Sequence, residues 1–245
     1  MSGHSKWANI QHKKGANDKK RASIFTKIIR ELTVAAKEGG TNPDGNPRLR
    51  MAIIKARAAN MPKDTMKKAI DKGAGGADGA NYEEFTYEGY APEGVAILME
   101  IMTDNRNRTS SDVKSTLSKN GGNLGANGCV SYIFHKKGVL VFESSVISED
   151  DAMGIAIDAG SEDVISEDDS VVVYTSPDDF ENVLKAFDDK GIAHVSAEVT
   201  MVPDTYQEVS ADRVDKILAL VEKLEDFDDV QAVYTNLKIP DDYQA

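Results

Sequence analysis

The sequence has little of what catalysis, metal binding or membrane insertion requires. A single cysteine, Cys129, excludes an internal disulfide and a multi-cysteine zinc site. No run approaches the ~20 apolar residues of a membrane helix, and the lysine-rich N-terminus lacks the apolar segment of a secretory signal. The four histidines are scattered, and no nucleophile motif accompanies them. We therefore expect a cytoplasmic, non-enzymatic protein without metal or cofactor, which binds neither a membrane nor a small-molecule substrate.

Positive charge is scarce overall but concentrated at one end. The net charge is -12, yet residues 1 to 72 hold 17 Lys and Arg against 6 Asp and Glu. Residues 138 to 203 hold 2 basic and 16 acidic side chains. Such an asymmetry is typical of a basic module for nucleic acid joined to acidic domains. It predicts that the N-terminal third contacts a polyanion.

The basic third has the pattern of a small helical bundle behind an irregular arm. Apolar residues recur at helical spacing from Ile24 to Gly39, and Asn46 with Pro47 is a helix start signal. A third helix is expected after Pro62, and it should end at Gly73. Glycine-rich residues 73 to 80 then read as a linker.

The remainder predicts two antiparallel sheets. Strands are expected at 82–90, 94–102 and 129–134, with a helix at 109–119 capped by Thr109 or Ser110. From residue 138 the order is βαββαβ, the ferredoxin-like split motif, and a final helix and strand complete the preceding sheet. The fold class is α+β: a basic helical N-terminal domain (1–80), then two ferredoxin-like domains (81–137 with 204–245, and 138–203), the last inserted in the other.

Side chains suited to phosphate or to an unpaired base identify the candidate nucleic-acid interface. Lys and Arg pair with phosphates, and Trp can stack on a base, although Trp7 has an equally good role packing on the bundle. The predicted contacts are Lys6, Trp7, Lys13, Lys14, Lys19, Lys20, Arg21, Lys27, Arg48, Arg50, Lys55, Arg57, Lys63, Lys67 and Lys68.

Two further segments are candidates for a secondary contact. Arg106 and Arg108 lie at a predicted helix N-terminus, which favours anions, but they could equally pair with the protein's own carboxylates. The stretch GGNLGANG places Gly121, Gly122 and Gly125 in a loop. This loop reads as a turn with positive φ angles, or as close backbone approach to a ligand.

Several long motifs resemble the YebC/PmpR family. They are MSGHSKWANIQHKKGANDKKRASIFTKIIREL, NPRLRMAIIKARAANMPKDTMKKAIDKG, YEGYAPEGVA, TDNRNRTSSDV and GGNLGANG. The sequence departs from the usual pattern at Ala91 and Cys129, where Gly and Ser are common. The resemblance implies three domains, a cytoplasmic location and no catalysis.

The resemblance leaves the kind of nucleic acid open. Bacterial members are described as DNA-binding transcriptional regulators, whereas mitochondrial relatives activate the translation of cytochrome c oxidase and some bacterial members resemble elongation helpers on the ribosome. The expected function is regulation of gene expression through DNA, with a factor that binds ribosomal RNA and acts in translation as the alternative. A protein-binding adaptor that uses the acidic domains is the third hypothesis.

Overall fold

The computed structural model describes residues 18–75, 81–167, 169–240 and 243, with side chains from Ala22 onward. The N-terminal bundle consists of three helices, α1 (Asp18–Gly39), α2 (Pro47–Ala58) and α3 (Lys63–Ala74). Helix α1 begins six residues before the expected Ile24, because the charged residues ahead of the apolar stripe are themselves good helix formers.

Apolar stripes and one polar cap hold the N-terminal bundle together. Leu32, Leu49 and Met66 are buried in a common core, and α1 contacts both other helices. Asn46 caps α2 as predicted: its side chain accepts from the N–H of Leu49 at 3.0 Å and donates to the Ala35 carbonyl at 2.7 Å. The α1–α2 connection is therefore fixed by a buried side chain, not by the loop alone.

Gly73 belongs to the core of the bundle, which corrects its assignment to the linker. It is buried within α3, and a Cβ atom added there would lie 2.3 Å from the Thr33 carbonyl oxygen on α1. Only glycine permits so close an approach of two helices. The side-chain hydroxyl of Thr33 donates to the Ala69 carbonyl across the same contact at 3.1 Å.

The first sheet unit takes strands from two distant parts of the chain. It contains β1 (Glu83–Tyr90), β2 (Ala96–Thr103), α4 (Arg106–Lys119), β3 (Asn123–Leu124), α7 (Ala211–Glu225) and β9 (Val230–Thr235). The strand order is β3-β1-β2-β9, and all pairings are antiparallel. Helices α4 and α7 bury Val113, Leu117 and Ile217 with the sheet residues in one core.

The second sheet unit lies between these two parts. It contains β4 (Phe134–Glu143), α5 (Glu149–Ala159), β5 (Ser161–Glu167), β6 (Ser170–Thr175), α6 (Phe180–Asp188) and β7 (Ser196–Pro203). The order β5-β6-β4-β7 is antiparallel throughout, as in the ferredoxin-like motif. Phe142 and Phe187 pack at 4.5 Å between ring centroids in its core.

A small parallel pair, β8 (Gln207–Glu208) with β10 (Leu237–Lys238), completes the chain. The protein is thus α+β, a helical N-terminal region followed by two antiparallel sheet units. The domain limits 1–80, 81–137 with 204–245, and 138–203 stay a prediction. Strand β4 runs without interruption from Phe134 across the predicted limit at residue 138.

Two sequence expectations about the first sheet unit are wrong. Residues 129–133 of the expected strand 129–134 form a loop with a short 3-10 turn, Ser131–Ile133, and Phe134 begins β4; the third strand of the sheet is β3 instead. The chain folds around the buried carboxylate of Glu88, which accepts hydrogen bonds from the N–H groups of Gly128, Val130 and Ser131 at 2.7 to 2.8 Å. Those N–H groups cannot also serve a sheet ladder.

The second error concerns the start of α4. The helix begins at Arg106, and Asn105 caps it by accepting from the N–H of Arg108 at 3.1 Å. Neither Thr109 nor Ser110 is the cap. Thr109 is buried, and its hydroxyl contacts Thr103 and Asp229. Asn is as good a cap as Ser or Thr, so the sequence offered several equivalent starts.

Candidate nucleic-acid interface

Helices α2 and α3 carry a group of exposed cations that we call the α2–α3 basic surface. Its side chains are exposed and have no ion pair within the described part of the chain, and they are Lys55, Arg57, Lys63, Lys67, Lys68 and Lys72. Between residues 51 and 75 these six cations face two acidic residues, Asp64 and Asp71. Lys72 lies on the exposed side of α3, although it is not among the predicted contacts.

The lysines of α3 face solvent because the opposite side of the helix is buried. Met66, Ala69 and Gly73 are buried at helical spacing against α1 and α2, so the lysines that lie between them occupy the opposite side. The buried residues therefore fix the orientation of the helix, and the lysine side chains remain free of contacts with the core. Long, unpaired side chains on such a surface are free to reach phosphate oxygens.

Two predicted contacts, Lys27 and Arg48, are held by the protein's own groups. The ammonium of Lys27 donates to the Glu225 carbonyl at 2.5 Å, and burial lowers the pKa of Lys27, although nearby Glu225 carries opposite charge that raises it. Arg48 forms ion pairs with three carboxylates, Glu31 at 2.8 Å, Glu38 at 2.7 Å and Glu84 at 2.8 Å. Their geometry does not support a role in binding.

Arg50 joins the N-terminal bundle to the second sheet unit. Its guanidinium lies 3.0 Å from the carboxylate of Glu181 and also donates to the Pro43 carbonyl at 2.9 Å. The adjacent Met51 packs against the core of the second sheet unit. Arg50 is therefore a contact between two parts of the protein, and its position does not support the predicted role in binding.

The N-terminal candidates lie outside the described side chains. Lys6, Trp7, Lys13 and Lys14 precede the first described residue, and Lys19, Lys20 and Arg21 are described only as part of the α1 backbone. Their proposed contacts stay a prediction.

The arginines of α4 pair with carboxylates of this protein. Arg108 donates to Asp104 at 2.9 Å and to Asp229 at 2.8 Å, and its hydrogen bond with Asp229 raises the pKa of Arg108 above its usual value. Arg106 lies 3.9 Å from Glu83 and stacks over the ring of Phe85 at 4.4 Å. This arrangement favours the structural alternative over a second contact to a polyanion.

Asp229 is the centre of a cluster that joins the N-terminal bundle to the first sheet unit. It is buried and accepts from Arg30 at 2.7 Å, from Arg108 and from the Thr109 hydroxyl, both at 2.8 Å. Burial alone would raise the pKa of Asp229, but hydrogen bonds from Arg108, Arg30 and Thr109 outweigh it and hold the pKa below its usual value.

Sequence reasoning missed the Arg30–Asp229 pair. The two residues lie 199 positions apart, and nothing in either local pattern signals the other. The Arg30 guanidinium also donates to the carbonyls of Met102 at 3.1 Å and Asp228 at 2.8 Å. A cation that satisfies this many internal acceptors positions α1 and does not belong to a binding surface.

The glycine loop has an internal explanation. Gly121 and Gly128 have φ angles of 80° and 86°, which favour glycine. A Cβ atom at Gly122 would lie 2.5 Å from the Tyr90 carbonyl, and one at Gly125 would lie 2.4 Å from the Cys129 sulfur. The turn alternative is thus sufficient, and the geometry does not support the predicted secondary contact at Gly121, Gly122 and Gly125.

The described part of the chain holds neither of two other kinds of feature, a metal-binding cluster and a membrane-spanning helix. Within the described ranges, no three His, Cys, Asp or Glu side chains are grouped so that they could hold a metal ion. Among the same residues, no helix is both long enough and apolar enough to cross a lipid bilayer. The α2–α3 basic surface is the candidate that the geometry supports.

Comparison with known proteins gives matches over nearly the whole chain. Residues 5–76 match the family described as the TACO1/YebC protein N-terminal domain, and residues 82–237 match the TACO1/YebC second and third domain. A protein of Treponema denticola is 53% identical over 244 residues, covering 100% of this chain and 99% of the relative. One from Syntrophobacter fumaroxidans is 54% identical over 243 residues, covering 99% and 98%.

Both relatives are named "Probable transcriptional regulatory protein". The crystal structure of a conserved hypothetical protein from Aquifex aeolicus, 41% identical, superposes with a TM-score of 0.80 and covers 93% of this chain and 94% of its own. The fold and its order along the chain are therefore shared with a solved structure. On these matches, the chain belongs to the TACO1/YebC family.

Proposed function

We propose that this protein regulates gene expression by binding the phosphate backbone of a nucleic acid through the α2–α3 basic surface. The observation that carries the proposal is the contrast between six exposed, unpaired cations on these helices and the paired arginines elsewhere. The names of the relatives, which describe probable transcriptional regulation, support the same class of function.

The chemistry of the surface suits phosphates more than bases. Lysine predominates in it, and lysine acts as a point charge for phosphate, whereas the Asn and Gln side chains that bind adenine edges are not among its six residues. Asn60 is the exposed amide between α2 and α3, and it has a φ angle of 55° in the turn. Contacts to phosphates fix the position and the affinity of a protein on a nucleic acid, and they carry no sequence information.

The same chemistry makes RNA the second candidate. A surface that recognises backbones fits a folded RNA, including ribosomal RNA, as well as duplex DNA. The two candidates differ in the nucleic acid that is bound and not in the surface that binds it.

Crosslinking in growing cells separates the two candidates. The full-length protein is crosslinked, purified under denaturing conditions, and the attached nucleic acid is sequenced. Recovery of promoter DNA supports transcriptional regulation, and recovery of ribosomal or messenger RNA supports a role in translation.

A matched variant makes the crosslinking result specific. In the triple variant Lys63→Gln, Lys67→Gln, Lys68→Gln, recovery should fall strongly, because the substitutions remove charge without changing the buried face of α3. Equal recovery from the variant and the parent protein would contradict the proposal.

A further inference from the structure

Helix α5 of the second sheet unit exposes large apolar side chains to solvent. Met153 and Ile157 are 36% and 61% exposed, and they lie one helical turn apart. With Asp150, Gly154 and Asp158 they occupy positions i, i+3, i+4, i+7 and i+8, and all five residues are exposed. We call these five residues the α5 outer face. This spacing defines a single stripe along a helix.

The most deeply buried positions of α5 are alanines. Ala152 and Ala156 are fully buried, and Ile155 and Ala159 are partly buried. An amphipathic helix normally buries its larger apolar side chains. In α5, Met153 and Ile157 are instead 36% and 61% exposed, and neither belongs to the buried core of the unit.

Gly154 is a second feature of the α5 outer face that the fold does not require. It lies in the middle of the helix, where glycine is less stable than alanine, and its φ angle is not positive. A Cβ atom added at Gly154 would have no neighbour within 4 Å. The open space beside Met153 and Ile157 therefore permits close approach of a partner.

Charge identifies the kind of partner. Asp150 and Asp158 flank the apolar residues on the same stripe, and residues 138 to 203 hold 16 acidic against 2 basic side chains. We propose that the α5 outer face binds a basic segment of a partner protein that carries apolar side chains, as an amphipathic helix does.

Charge also disfavours two other occupants. A nucleic acid would be repelled by Asp150 and Asp158. A symmetric pair of α5 outer faces from two copies would place the aspartates of one copy beside those of the other, because each patch in such a contact meets its own image. A partner with basic and apolar side chains complements both: its apolar side chains pack on Met153 and Ile157, and its basic side chains pair with Asp150 and Asp158. The α5 outer face shares no residue with the α2–α3 basic surface, so variants of either surface test the two proposals separately.

The test uses the full-length protein and synthetic helical peptides. A peptide of lysine and leucine should bind, whereas a peptide in which serine replaces leucine, with unchanged charge, should bind about tenfold more weakly. A glutamate and leucine peptide should not bind to the α5 outer face. Failure of the lysine and leucine peptide to bind at low salt would overturn the proposal.

Variants then locate the site. The double variant Met153→Gln, Ile157→Gln should weaken binding of the lysine and leucine peptide about tenfold, as should Gly154→Gln, which adds a side chain only where space is open. Tyr132→Gln is the matched control, because Tyr132 is 72% exposed and lies in the first sheet unit. The Tyr132→Gln variant should bind the lysine and leucine peptide with the same affinity as the parent protein.

All of these positions are exposed, so the variants should melt at temperatures close to that of the parent protein. Equal peptide affinity in the parent protein and both α5 variants would contradict the proposal. Loss of a dimer in sedimentation, caused by the α5 variants, would show that the occupant is a second copy and would overturn the proposed partner.

Discussion

Two groups of cations have similar sequence signatures and different surroundings. Lys63, Lys67 and Lys68 are exposed and have no ion pair within the described residues. Arg106 and Arg108 are also at a helix surface, yet each lies beside a carboxylate of this protein. The comparison shows that a cation is available to a ligand only if the fold brings no acidic partner to it.

The acidic partner that Arg30 and Arg108 share comes from a remote part of the sequence. Asp229 lies 121 positions from Arg108 and 199 from Arg30. A count of charges over a stretch of consecutive residues cannot reveal such a partner, because the stretch contains only one member of the ion pair. The predictions that follow separate cations that stabilise the fold from cations that contact a ligand.

The largest effect is expected when Asp229 is removed. In Asp229→Ala, Arg30 and Arg108 lose a shared carboxylate and Thr109 loses an acceptor. We expect a loss of about 3 kcal/mol in the free energy of unfolding, because breaking a largely buried pair leaves uncompensated charge. Denaturant unfolding measures it, and Asp228→Ala, at an exposed neighbour, is the control. Equal stability of the two variants would remove the structural role of the cluster.

A smaller effect is expected at the crossing of α1 and α3. In Gly73→Ala the new Cβ would lie 2.3 Å from the Thr33 carbonyl, so the helices must separate. We expect a loss of about 2 kcal/mol in the free energy of unfolding. Gly75→Ala is the control, since its nearest neighbour would be 3.5 Å away. A neutral Gly73→Ala would show that the bundle tolerates a wider crossing.

Glu88 connects stability to pH. Burial alone would raise the pKa of Glu88, but hydrogen bonds from the N–H groups of Gly128, Val130 and Ser131 outweigh it, so the pKa lies below its usual value. An acid with a lowered pKa in the folded state stabilises the fold above its unfolded pKa, and this stabilisation is lost as the pH falls through the folded pKa. Asp229 acts in the same sense.

We therefore expect unfolding free energy to fall as the pH is lowered from about 4.5. Glu88→Gln should be less stable at neutral pH by about 2 kcal/mol, because an amide accepts these N–H groups less strongly. Its stability should also depend less on pH in the acidic range. A parallel pH dependence of variant and parent protein would exclude Glu88 as a source.

The smallest effect on ligand affinity is expected for Arg106→Ala with Arg108→Ala. These side chains already contact Glu83, Asp104 and Asp229, so the salt dependence of nucleic-acid binding should be nearly unchanged. The melting temperature should fall. A salt slope flatter by one or two units with an unchanged melting temperature would instead restore the predicted second contact.

Local patterns in the sequence predict the helices and most strands, because hydrophobic spacing and caps are local signals. Asn46 and Pro47 mark the start of α2 correctly. The strand expected at 129–134 failed because its N–H groups bind Glu88, a residue 42 positions from Val130. The sequence also predicts the basic surface, because the spacing of the lysines along the helices is a local signal. The pairing of Lys27, Arg48 and Arg50 depends on contacts that form only in the folded chain, so the sequence pattern does not show it.

One measurement tests the central claim most directly: the salt dependence of nucleic-acid affinity in the full-length protein. Lys63→Gln, Lys67→Gln, Lys68→Gln should flatten the log-log slope on duplex DNA by about 2 to 3, since each neutralised phosphate contributes about 0.9. The matched variant Lys114→Gln, Lys119→Gln, Lys216→Gln removes the same charge from exposed lysines of the first sheet unit and should leave the slope unchanged. Equal slopes in both variants would contradict the assignment of the α2–α3 basic surface.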